Sequence, residues 1–155
     1  MKILIVEDNI QNQELAKAQL QGHELVIVDN YTDALKLLTP IYKAGGSKGF
    51  DIPSFDVVLT DVHIPLGNTR YFSEDRPLVP NIDTQSQIGQ YGLLICIAAL
   101  RVVTKVAIVS AHGDHHSDEH TAAHEMLDHS LKMNGNNVRS KHKDWGYAFQ
   151  LLMKK

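Results

Sequence analysis

The sequence predicts an α/β fold, a doubly wound parallel sheet with helices on both faces. Two observations predict it. Four short runs, "KILIV" (2–6), "ELVIV" (24–28), "DVVLT" (56–60) and "KVAIV" (105–109), are continuous and rich in β-branched residues. That is the pattern of strands covered on both faces. Stretches with helical spacing alternate with them, and the order βαβαβαβαβα is that of parallel strands joined by helical crossovers.

Each element has its own signal. "IQNQELAKAQL" (10–20) and "YTDALKLL" (31–38) place apolar residues at helical spacing after the first two strands. "TPIYKAGGSKGFDIPS" (39–54) is rich in Gly, Pro and Ser and reads as a long loop. Its "AGGSKG" lacks the GxxxxGK[ST] order of a phosphate loop and leads into no helix. The third strand ends at Asp61, and a polar, turn-rich stretch (66–90) follows. Loops of that length inside a compact domain are uncommon and often functional. "YGLLICIAALRVV" (91–103) is apolar almost all round, and its length and Ala content favour helix. After the fourth strand, "DEHTAAHEMLDHSLKM" (118–133) carries Ala123, Leu127 and Leu131 four apart. A weaker fifth strand, "NVRSK" (137–141), precedes an amphipathic "DWGYAFQLLMK".

Composition narrows the setting. A chain of 155 residues, 43% hydrophobic and 21% charged, fits one soluble domain spanning 1–155. A net charge of -3 gives no electrostatic reason to expect nucleic acid or an anionic membrane as partner. The single cysteine, Cys96, lies in "GLLICIAAL", which predicts a buried thiol and excludes an internal disulfide. The N-terminal apolar run is too short for a signal-peptide core, and no apolar stretch reaches membrane-spanning length. The expected location is the cytoplasm.

Ligands of such sheets bind outside the carboxyl ends of the strands. The first strand ends in Glu7-Asp8, the third in Asp61, and the fourth in Ser110. Three carboxylates converging on one edge repel one another. A hard dication such as Mg2+, held by a few carboxylates with water and phosphate, removes that repulsion.

Together, "ILIVEDN" (3–9), "VVLTDVHIP" (57–65) and "VAIVSAHG" (106–113) resemble the receiver domain of bacterial response regulators. The resemblance covers nearly the whole chain, with 39–54 and 66–90 as expansions. It rests on Glu7-Asp8, on the Asp61-x-x-x-Pro65 spacing, on Ser110 followed by Ala111, and on Gly92 at the opening of the third helix. It implies a flavodoxin-like, five-stranded sheet of order 2-1-3-4-5. It also implies that Asp61 accepts a phosphoryl group from a phosphohistidine on a histidine kinase or histidine phosphotransfer protein. Asp8, Asp61 and the backbone carbonyl of His63 would hold Mg2+, with Glu7 acting mostly through water. Ser110 would donate to a phosphoryl oxygen, and a lysine would supply a second positive charge.

For that lysine the preferred candidate is Lys143, ahead of Lys132 and Lys141. Lys132 has the family's spacing from Ser110 but falls inside the Leu127–Leu131 helical pattern. Lys143 follows the candidate fifth strand, although Asp144 stands where the family has proline, and Ser140 where it has an aromatic residue. Arg70 and Arg76 are candidate anion contacts in the 66–90 expansion. His116, His120 and His124 are four apart within the His112–His129 cluster, and imidazoles so spaced can bind a transition metal. A solvated or half-buried histidine-rich helix is the simpler account, since the HExxH spacing is absent.

Three functions follow for comparison. The first is a phosphoacceptor receiver, not an enzyme, whose output is protein binding because no effector domain follows residue 155. The second is a pseudo-receiver that binds partners without phosphorylation. The third is a metal-dependent hydrolase using the histidine cluster; Asp61-Val62-His63 lacks the second Asp of an Asp-x-Asp-x-Thr phosphatase.

Overall fold

Five strands form one parallel sheet: β1 (Lys2–Val6), β2 (Glu24–Val28), β3 (Val57–Thr60), β4 (Val106–Ala111) and β5 (Asn137–Ser140). Their spatial order is β2-β1-β3-β4-β5. The computed structural model describes residues 1–39, 41–42, 50–51, 54–67, 88–89, 91–103, 105–111, 137–140 and 143–154. The expected sheet order is the one observed. β1 pairs in parallel with β2 from Lys2↔Glu24 to Val6↔Val28, and with β3 from Ile3↔Val57 to Val6↔Thr60.

Alternation along the strands divides the core. Ile3, Ile5, Val57, Leu59, Ala107 and Val109 face one side, against helices α1 (Ile10–Gln19) and α4 (Trp145–Met153). Leu4, Val6, Val58, Val106 and Ile108 face the other, against α2 (Tyr31–Leu38) and α3 (Tyr91–Ala99). Ile3, Leu4, Ile5 and Val6 are all fully buried, which is why β1 reads as a continuous apolar run rather than an alternating one. Each such side chain contributes roughly 1.5–3 kcal/mol by leaving water.

The helices start where side chains satisfy their orphan N–H groups. Asn9 accepts from the N–H groups of Gln11 (2.9 Å) and Asn12 (3.3 Å) to open α1. Asn30 accepts from Asp33 N–H (2.8 Å) to open α2. Asp144 accepts from Tyr147 N–H (2.8 Å) to open α4, so the residue standing in place of the family's proline is a cap. The 118–133 helical pattern lies outside the described residues. Among the described residues, no helix is long and apolar enough to cross a membrane.

The two expansions differ from plain loops. Ile41–Tyr42 pairs antiparallel with Phe50–Asp51 across the 39–54 stretch, a ribbon that the Gly-rich composition did not announce. Ile64–Pro65 pairs antiparallel with Ile88–Gly89, so the second expansion leaves and returns at one point. Its exit is tied to α2: the Leu66 carbonyl accepts from Thr32 N–H (3.1 Å) and Thr32 Oγ1 (2.7 Å).

Candidate functional site

The register sets the site. Val6 pairs with Thr60, so Glu7 and Asp61 emerge side by side from the carboxyl ends of β1 and β3. Asp61 N–H donates to the Val6 carbonyl (2.9 Å), and Glu7 N–H to the Val28 carbonyl (3.0 Å), extending both ladders by one residue. Glu7 is fully buried, Asp61 partly buried and Asp8 exposed. One carboxylate oxygen from each of the three lies within 4.8 Å of the others.

Buried, a carboxylate needs partners. Glu7 Oε1 accepts from Asn9 N–H (3.0 Å) and Asn12 Nδ2 (3.3 Å), while Gln13 Nε2 donates to the Glu7 carbonyl (2.7 Å). Its other oxygen, Oε2, is ion-paired with Lys143 Nζ. The same ammonium stands 2.7 Å from Asp61 Oδ2, and only 5% of the Lys143 side chain is exposed. Burial pushes the Glu7 carboxyl above its ordinary range; the Lys143 charge and hydrogen bond pull it back, and the Asp61 charge adds to the rise.

Backbone contacts fix Asp61. Its Oδ1 accepts from Val62 N–H (2.7 Å), and its carbonyl accepts from Thr60 Oγ1 (2.9 Å). Gly92, at the start of α3, donates its N–H to the Val62 carbonyl (3.0 Å). A Cβ at Gly92 would stand 1.7 Å from the Asp61 carbonyl oxygen, so only glycine lets α3 begin here.

No protein-family model and no curated protein matches the chain. Solved structures do. A response regulator receiver domain protein from Clostridium thermocellum is 18% identical, with 99% of this chain and 94% of that one covered at a TM-score of 0.51. The Mn2+-bound form of response regulator Rcp1 is also 18% identical, with 99% and 89% covered at a TM-score of 0.51. The chain has the receiver-domain fold.

Within this receiver fold the structure brings together Glu7, Asp8, Asp61 and Lys143 of the residues singled out in the sequence. Ser110 lies in the backbone of β4, paired with Arg139 of β5 and two residues beyond Ile108, the partner of Thr60. That register puts Ser110 near the carboxyl end of β4, at the same edge of the sheet as Asp61. His63 is partly buried two residues after Asp61. Lys132, Lys141, Arg70, Arg76 and the His112–His129 cluster lie outside the described residues. Sequence reasoning missed Asn12 and Gln13, which fasten Glu7. Their signal was a first helical turn with polar residues where an apolar stripe would be expected. It also missed Trp145, whose ring lies under the Lys143 ammonium.

Proposed function

We propose that the chain is a phosphoacceptor receiver of a two-component or phosphorelay system, with Asp61 taking a phosphoryl group from a histidine kinase or histidine phosphotransfer protein. The observation that carries this reading is the Lys143 ammonium seated between Glu7 and Asp61, with the exposed Asp8 carboxylate beside them. A phosphoacceptor needs a carboxylate at an open edge and positive charge to meet the incoming phosphoryl oxygens.

An Asp61 carboxylate oxygen attacks phosphorus, forming an acyl phosphate. The P–N bond breaks and its electron pair stays on the donor ring, which leaves as neutral imidazole because its other nitrogen carries a proton. Lys143 meets a phosphoryl oxygen while Glu7 holds the lysine ammonium at the site. The Ser110 hydroxyl donates to a second phosphoryl oxygen. The all-oxygen donor set fits a hard dication: Asp8, Asp61 and the His63 carbonyl would hold Mg2+, with Glu7 acting through water because both its oxygens already have partners. When bound, Mg2+ neutralises charge on the transferred group. The Mn2+ carried by the Rcp1 neighbour supports a divalent cation in this fold. Phosphate stays on the chain, so the protein is an acceptor whose output is binding to another protein, placed in the reducing cytoplasm.

Incubation with Mg2+ and acetyl phosphate, followed by mass spectrometry and amide NMR, tests this. One phosphate on Asp61, labile at alkaline pH and absent in Asp61→Asn and in EDTA, is the expected result. A folded protein that forms no adduct and shows no Mg2+-dependent NMR shift would make the pseudo-receiver the better account.

A further inference from the structure

Lys143 carries a flexible four-carbon stem, yet its ammonium must sit within reach of two carboxylates. Ion pairs fix the tip but not the approach. Two residues on stands Trp145. This residue, the first of α4, is fully buried in the core that α4 shares with the sheet and α1. Its ring centroid lies 5.9 Å from Lys143 Nζ, within the range at which an indole face attracts an ammonium.

A second observation concerns the other edge of the ring. A buried tryptophan usually donates its N–H to a partner, but Trp145 Nε1 is buried with none among the described residues. The indole is therefore placed by packing and by its face, not by its own hydrogen bond. Around it the α1–α4 seam is closed by Gly146 N–H donating to Gln19 Oε1 (3.2 Å) and by the His23 and Phe149 rings at 4.6 Å. The seam holds Trp145, and Trp145 in turn faces the site lysine.

We infer that Trp145 is a positioning residue, whose indole face seats the Lys143 ammonium between Glu7 and Asp61, and whose emission reads that seating. The aromatic residue expected before the lysine is replaced by Ser140; the aromatic partner here follows the lysine and lies inside the core. The inference rests on the phosphoacceptor reading for its catalytic consequence, but its structural half stands alone.

The chain has one tryptophan, so intrinsic emission reports this residue only. In metal-free protein Lys143→Met should change the intensity and position of that emission while the far-ultraviolet circular dichroism stays that of the wild type. An unchanged emission spectrum overturns the inference. With acetyl phosphate and Mg2+, Trp145→Leu should form the Asp61 adduct about 2- to 30-fold more slowly. Trp145→Phe, which keeps a ring face, should recover most of that rate. A wild-type rate in Trp145→Leu, or equal losses in both variants, overturns it. If the Trp145 variants do not fold, the Lys143→Met emission decides. If the wild type takes no phosphoryl group, the phosphoacceptor reading fails by itself, and the emission result again decides whether Trp145 seats the lysine.

Discussion

Two carboxylates share the Lys143 ammonium, and they differ in what they can do without it. Asp61 is partly open to water, whereas Glu7 has no exposed surface. Removing one partner of a buried pair leaves an uncompensated charge, which typically costs about 3–5 kcal/mol. Lys143→Ala should therefore lower stability by about 3 kcal/mol in urea denaturation and suppress phosphorylation-driven NMR shifts. Lys132→Ala should leave both near wild type, and the reverse ranking would show that another lysine serves the site. Cys96 makes a simpler case. It is fully buried and its burial drives the thiol well above its ordinary range, so almost no thiolate is present near neutrality. An aromatic disulfide reagent should label it only after denaturation; rapid labelling of native protein would contradict the packing of α3 on the sheet. The context "GLLICIAAL" pointed to that burial, but the helix face decides it: Ile95, Cys96 and Ala99 are buried while Leu94 and Ile97 are exposed.

Element boundaries follow from single side chains, and few of these were legible. In the sequence Asp144 is only a departure from the proline that the receiver resemblance implies; the structure shows that it caps α4. Asp144→Ala should cost about 1 kcal/mol and fray the first turn of α4, measurable by amide exchange at Tyr147. Gly92 was legible only as a match; its cause is the approach of α3 to the Asp61 carbonyl. Gly92→Ala would put a methyl into backbone that cannot yield. It should destabilise by more than about 2 kcal/mol and disturb Asp61; wild-type phosphorylation kinetics and urea midpoint in that variant would refute the contact. The ribbon of Ile41–Tyr42 with Phe50–Asp51 was not legible, since two-residue runs are too short to show a period and their pairing is not local.

At the scale of the molecule, the site lies where the strand order turns back, between β1 and β3, the crevice where open α/β sheets bind ligands. Buried runs ending in acids let the sequence place Glu7, Asp8 and Asp61 there. It could not show that Lys143 reaches across the fold to Glu7, because that contact depends on the whole topology. The same topology argues for what the 66–90 expansion does. Its two ends, Ile64–Pro65 and Ile88–Gly89, are paired to each other, and its exit at Leu66 is held by Thr32 of α2. Its first end follows Asp61 by three residues and its second is paired to that end, so a deletion tests the expectation that the expansion restricts access to this carboxylate. Gly67 already has φ +78, and its surroundings leave no space for a Cβ, since Asn30 Oδ1 would lie 2.3 Å away. Deleting residues 68–87 would join Pro65 to Ile88 through Leu66-Gly67, a two-residue connection whose second residue already has positive φ. Loop closure changes slowly with length, so the thermal midpoint should stay within a few degrees. The rate with acetyl phosphate should rise or hold, while the ratio of that rate to transfer from a phosphohistidine protein changes several-fold. Identical kinetics with both donors would mean that the expansion neither screens the site nor contacts the donor.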